Sequence, residues 1–167
     1  ATLGILGVIG TSGTSTFKIA ADGALLSSSN LTIDTVKVGA ITGNMFAYST
    51  TATNTFTVTN NIICGNISGY FAWGQNSYPL IVIAPNITTG TVLRFVSTNG
   101  QVQCTGDVNT LGCGAFAYTG GVVTCRDITI TGNLASFFSG AGGFATSVTA
   151  RNITVTGTNA GVFTDNV

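Results

Sequence analysis

Asp107, Arg126 and Asp127 have the best claim to chemistry in this chain: two carboxylates spaced by one period of an internal repeat, with a guanidinium next to the second. Paired carboxylates can act as general acid and general base in glycoside cleavage. Little accompanies them. All five acidic residues are aspartate, Lys plus Arg number five, and histidine is absent. Neither a Ser-His-Asp nor a Cys-His set can therefore be assembled. The other inner-chain carboxylates are Asp22 and Asp34, and Asp127 reads more simply as the strand-start equivalent of Asn152. The four cysteines lack the paired CxxC spacing of a zinc site, and the glycines form no phosphate loop. These residues point to a chain that is not an enzyme and that uses neither metal nor cofactor.

The elements that would position these residues are visible as repetition. ITITGN at residues 128–133 returns as NITVTG at 152–157, and recurrence every two dozen residues is the signature of stacked structural units. Phenylalanines mark the units at Phe46, Phe71, Phe116, Phe138 and Phe163, with Phe95 filling the long step. Upstream of the markers lie alternating strings: NLTIDTVKV from Asn30, TFTVTN from Thr55, DITIT from Asp127 and NITVT from Asn152. Period-two alternation of β-branched residues means strand, with Phe56, Val58, Ile128, Ile130, Ile153 and Val155 facing inward and the threonines outward. No stretch carries a helical stripe. The pattern predicts an all-β solenoid of about six coils with a period of roughly 21–25 residues. Residues 1–29 would be an apolar strand or first coil, and 30–167 the repeats. Its competitor is a β-sandwich fibre subunit whose N-terminal strand completes the next subunit.

Composition narrows the partners. Hydrophobic residues make up 44% of the chain and charged residues only 6%, with zero net charge. Disordered chains are apolar-poor and highly charged, so this one folds. A neutral surface of hydroxyls and amides has no pull on a phosphate backbone, which argues against nucleic acid. The longest apolar run, PLIVIAP at residues 79–85, falls far short of the roughly 20 residues a spanning helix needs.

Cys104 and Cys125 stand one period apart, so a solenoid sets them on adjacent rungs. Neighbouring strands lie about 4.8 Å apart, within disulfide reach, and a bridge between them is expected. The alternative is that all four cysteines are small core hydrophobes; Cys64 and Cys113, two rungs apart, are expected as buried thiols. A Cys64–Cys113 bridge would instead favour the sandwich. Asn30, Asn66, Asn86 and Asn152 each open an Asn-x-Ser/Thr sequon, at strand starts where a glycan would not disturb a core. Tyr48, Trp73 and Tyr118 follow the Gly-x-Phe-Ala strings. They suit either an aromatic platform for carbohydrate or plain packing beneath turns.

The Gly-x-Phe-Ala string, a glycine-containing turn and then V-T-x-x-(N/D)-I-T-V-T-G resemble the repeats of right-handed parallel β-helix surface proteins, and specifically the GLUG-type repeat of large bacterial adhesins. The resemblance covers roughly Asn30 to Val167 and is carried by Gly69–Phe71, Gly114–Phe116 and Gly161–Phe163 with the NITVTG and DITITGN strings. It implies a right-handed parallel β-helix in an extracellular or cell-surface part, structural or adhesive, with no catalytic residues.

The apolar start LGILGVIG, with Leu3, Ile5, Leu6, Val8 and Ile9, reads as an assembly strand. Unpaired strand edges recruit other chains, and head-to-tail contacts that do not close make filaments. A longer array would account for the ends equally well. The expected function is a head-to-tail fibre whose partners are copies of itself and, at the sequons or the platform, glycans. Ice binding on outward threonines is a further alternative.

Overall fold

The computed structural model describes residues 30–47, 53–75, 77–139 and 145–158, together with the strand backbones Leu3–Ile5, Val8–Ile9, Phe17–Ile19 and Leu25–Ser27. Every regular element among them is a β-strand, and they wind into a right-handed parallel β-solenoid of about five turns. Each turn gives one strand to each of three faces. The first face stacks Leu31–Ile33, Asn54–Val58, Leu80–Ala84, Gly100–Cys104, Val122–Thr124 and Ser147–Thr149. The second stacks Val36–Val38, Asn61–Cys64, the starts of Asn86–Ser97 and Asp107–Tyr118, then Asp127–Ile130 and Asn152–Val155. The third runs through Leu25–Ser27, Phe46–Ala47, Ile67–Trp73, the ends of the two long strands, and Leu134–Ser139.

Alternation in the sequence becomes alternation in burial. Asn54–Val58 and Leu80–Ala84 bury every other side chain, because successive residues of a strand point to opposite sides. Each buried residue then stands over its equivalent one turn away. On the first face the column is Leu31, Phe56, Val82, Val102, Val123 and Val148, with shorter steps from Val82 to Val102 and from Val102 to Val123 than elsewhere. On the second it is Val36, Ile62, Ile87, Val108, Ile128 and Ile153. No turn can bury these side chains alone, so stacking is what removes them from water.

The two short steps have a local cause. Asn86–Ser97 and Asp107–Tyr118 are continuous 12-residue strands that pass from the second face to the third without a break. Tight turns follow them, with positive φ at Thr98 and Asn99 and again at Thr119 and Gly120. Where the long strands round the corner, Thr89 and Thr110 point inward and are buried, contrary to the expectation that threonines face out. Their hydroxyls are satisfied there: Thr110 Oγ1 donates to the Gly90 carbonyl at 2.9 Å and Thr89 Oγ1 to the same oxygen at 3.0 Å.

A phenylalanine column fills the third face. The rings of Phe71, Phe95, Phe116 and Phe137 are fully buried and stack at 4.7, 4.8 and 5.1 Å, with interplanar angles of 1°, 6° and 14°. Ring spacing thus copies the strand spacing of about 4.8 Å. Two expected markers shift. Phe137, not Phe138, joins the column, while Phe138 is half-buried in register with Ala117. Phe46 is in register with Ala72 but touches both Phe71 and Phe56 with its ring, at 5.4 and 5.1 Å. Phe163 lies outside the described residues.

At the N-terminal end the winding reverses. Leu3–Ile5 pairs antiparallel with Val36–Val38, Val8–Ile9 antiparallel with Leu31–Ile33, and Phe17–Ile19 antiparallel with Leu25–Ser27. This corrects the reading of Leu3, Ile5, Val8 and Ile9 as strands held out for a neighbour: the chain spends one edge of each strand on covering its own first turn, which would otherwise present unpaired N–H and C=O groups. Leu6 lies outside the described residues. The β-sandwich alternative also fails, because the strands from Leu25 onward pair with one another in parallel, whereas hairpin-linked sandwich sheets are antiparallel.

Candidate functional site

The residues singled out for acid–base chemistry do meet. Asp107 and Asp127 are register partners on adjacent turns, and Asn152 continues the row. Arg126 grips Asp107 with Nε and Nη2 at 2.8 and 2.6 Å; Arg151 grips Asp127 in the same two-pronged way, and Asn152 Nδ2 adds a bond to Asp127 Oδ1 at 2.9 Å. The result is an exposed ladder of alternating charge along one corner. Each carboxyl is held below the ordinary aspartate range, chiefly by its arginine: Arg126 for Asp107 and Arg151 for Asp127. A general acid needs the opposite shift, and the paired side chains tie adjacent turns together as a clasp.

The clasp has a pH signature. Because the folded pKa values are depressed, the folded chain binds fewer protons than the unfolded chain just below the unfolded aspartate value, and stability there rises with pH. The contribution is present above about pH 4 and is lost as pH falls through the folded values. Acid titration followed by circular dichroism should therefore show less loss in an Asp107→Asn, Asp127→Asn double variant than in the parent. Equal acid sensitivity would contradict the assignment.

The expected Cys104–Cys125 bridge is not formed: all four cysteines are free and buried. The spacing argument did place Cys104 and Cys125 on adjacent turns at one corner, one residue beyond the Gln103–Thr124 register pair. The Cys104 thiol is occupied otherwise, directed at the carbonyls of Pro85 at 3.2 Å and Asp107 at 3.5 Å. Burial pushes the Cys64, Cys113 and Cys125 thiols up to about 12 and raises Cys104 as well. They behave as small core side chains, inert because the thiolate is the reactive form.

The sequon asparagines are all exposed, and each ties one turn to another. Oδ1 of Asn30, Asn66 and Asn86 accepts the backbone N–H of Thr55, Thr91 and Asp107 respectively, at 3.0, 2.9 and 3.1 Å, while Asn152 makes its tie through the bond to Asp127. Asn44 does as the first three do, for Tyr70 at 2.9 Å, without lying in a sequon. At Asn30 and Asn66 a glycan attached at Nδ2 would leave the Oδ1 acceptor in place, whereas Nδ2 of Asn86 and of Asn152 already donates, to Asn61 Oδ1 and Asp127 Oδ1.

On the third face Trp73 and Tyr118 share one register row. Trp73 is in register with Ser97 and Ser97 with Tyr118, so the two aromatics stand two turns apart; Tyr48 lies outside the described residues. Between them sit two residues the sequence reading missed. Tyr70 and Arg94 are register partners. The Arg94 guanidinium lies 3.7 Å over the Tyr118 ring and donates from Nη1 to the Tyr70 hydroxyl at 2.6 Å, and the Tyr70 and Trp73 rings are 5.7 Å apart. The only sequence signal was the near-period spacing of Tyr70 and Arg94, hidden by a register shift between Ile67 and Tyr70.

The first face is uncharged outside, but its outward column runs Thr32, Thr57, Ile83, Gln103, Thr124 and Thr149. Ile83 and Gln103 interrupt the threonines that an ice-binding plane would need.

Among the described residues the second face ends at Asn152–Val155. Ile153 is 40% exposed, although Ile62, Ile87, Val108 and Ile128 below it in the same inward column are at 0%. Its strand, Asn152–Val155, pairs only with Asp127–Ile130, and Ser147–Thr149 only with Val122–Thr124, among the described residues. No described helix is long and apolar enough to cross a membrane, and no three described His, Cys, Asp or Glu side chains gather as a metal site would require. Searches with family models, against curated proteins and against solved structures returned no match to the chain.

Proposed function

We propose that this chain is a non-enzymatic structural protein of an extracellular or cell-surface fibre, in which copies stack end to end along the solenoid axis. The observation that carries the reading is Ile153: an inward-column residue left 40% exposed above five fully buried equivalents. At 40% exposure Ile153 forgoes part of the burial its equivalents have, complete burial being worth about 1.5–3 kcal/mol for a side chain of this type. The strand edges add hydrogen-bonding capacity. At the opposite end Leu3–Ile5 and Val8–Ile9 terminate their sheets, with one edge each unpaired among the described residues. Joining two unlike ends is a heterologous contact, which propagates instead of closing. The carboxylates best placed for catalysis are clasped by arginines and kept ionised, which supports a non-enzymatic role. The resemblance to adhesin repeats and the nearly uncharged surface support an extracellular one.

The test is negative-stain microscopy and sedimentation at micromolar concentration. Rods lengthening with concentration are expected, and Ile153→Lys should leave a folded monomer. Monomers at every concentration, or rods unaffected by Ile153→Lys, would overturn the proposal.

A further inference from the structure

Arg94 differs from the other two arginines of this chain. Arg126 and Arg151 are each paired with an aspartate, but no carboxylate pairs with Arg94 among the described residues. Its guanidinium is instead half-buried between two tyrosines: Tyr118 offers a ring face at 3.7 Å, and Tyr70 accepts one hydrogen bond at 2.6 Å with its ring centroid 5.3 Å away. A guanidinium has five N–H donors in a rigid planar fork. Tyr70 uses one, and the rings hold the plane still without neutralising it. The charge is fixed in orientation and unspent.

The surroundings leave the fork approachable. The register partner of Arg94 on the next turn is Ala115, and beyond that Ser136, both small. Trp73 and Tyr118 flank the row, with Ser97 between them in register. The patch therefore combines three half-buried aromatic rings, the tyrosine hydroxyls and one cation without a carboxylate partner on a parallel sheet, while Ser97 lies buried beneath it. Aromatic rings with one apolar face and one polar tip suit ligands that are apolar on one side and wet on the other. Sugar rings have that character, and an arginine fork matches a carboxylate or sulfate oxygen pair.

We propose that Arg94, Tyr70, Tyr118 and Trp73 form a binding site for an acidic saccharide, the guanidinium, held by Tyr70 and Tyr118, taking its carboxylate or sulfate and the Trp73 ring a sugar face. The site is complete within one copy of the chain and does not depend on end-to-end stacking.

Trp73 is the only tryptophan in the chain, so its fluorescence reports on this patch alone. Full-length protein is titrated with oligogalacturonate, with sulfated dextran and with neutral dextran, at low and at high salt. The expected result is a saturable change in Trp73 emission with one or both acidic polymers, weakened by salt, and none with neutral dextran. Response to oligogalacturonate alone assigns a carboxylate ligand, to sulfated dextran alone a sulfate, and to both the shared anionic chemistry. Arg94→Gln should weaken binding at least tenfold while its thermal midpoint stays near the parent's. Tyr118→Leu, which removes the ring under the guanidinium, should weaken it less. No response to either acidic polymer, equal response to neutral dextran, or undiminished affinity in Arg94→Gln would overturn the proposal.

Discussion

Phe95→Ala is expected to destabilise the protein by about 3–5 kcal/mol, the range for removing a fully buried phenylalanine. Phe95 stands in the middle of the ring column, with Phe71 at 4.7 Å on one side and Phe116 at 4.8 Å on the other, both nearly parallel to it. A hole there interrupts two interfaces between turns at once. In a solenoid that is most of what holds the central turns together, since each unit contacts only its neighbours. The strand spacing fixes the ring separation, so the column cannot close over the gap by sliding. Phe138→Ala removes the same atoms from a half-buried position outside the column and should cost clearly less. Denaturant unfolding of both variants checks this, and equal losses would mean that the column is not the core.

Gly132→Ala should cost about 1–3 kcal/mol or more, as for overpacking of a rigid site. A Cβ on Gly132 would run into the carbonyl oxygen of Leu111 on the adjacent turn. That oxygen is fixed by the strand ladder around it, and neither side has a flexible group that can yield. The reason is closeness of approach and not dihedral freedom: the one described glycine with positive φ is Gly120. Left-handed dihedrals therefore do not explain the placement of Gly132 and Gly157, where it is backbone contact with the preceding turn that does. Thr131→Ala, at the exposed neighbour, should change stability by no more than about 0.5 kcal/mol. Comparable losses at both positions would contradict the close-approach account.

The winding of this chain was legible wherever alternation and repetition coincided. DITI and NITV fall in register residue for residue, Asp127 on Asn152 through Ile130 on Val155, because inward β-branched residues at matched positions can be buried only by each other. The adjacency of Cys104 and Cys125, and of Asp107 and Asp127, followed from the same period. Choices of a single residue were not legible. With two phenylalanines in succession, a one-residue slip decides which is inside, and the pairing of Phe138 with Ala117 sends Phe137 inward. The inward Thr89 and Thr110 depend on corner carbonyls that composition does not reveal. Nor does apolar patterning carry strand polarity, so the reversed N-terminal strands could not be told from donor strands.

The aromatic site was half legible. Trp73 and Tyr118 share an offset from the Gly-x-Phe-Ala string. Tyr70 and Arg94 come together only because the register shifts after Ile67, which brings a tyrosine beside an arginine that simple counting would offset by one.

The account rests on turns stacked in parallel register, and ring-to-ring nuclear Overhauser effects in protein labelled only at phenylalanine test it most directly. The structure predicts cross-peaks from Phe95 to both Phe71 and Phe116, and from Phe116 to Phe137, at centroid separations of 4.7 to 5.1 Å. A Phe95 ring with no contact to Phe71 or Phe116 would contradict the stacked column and the solenoid with it.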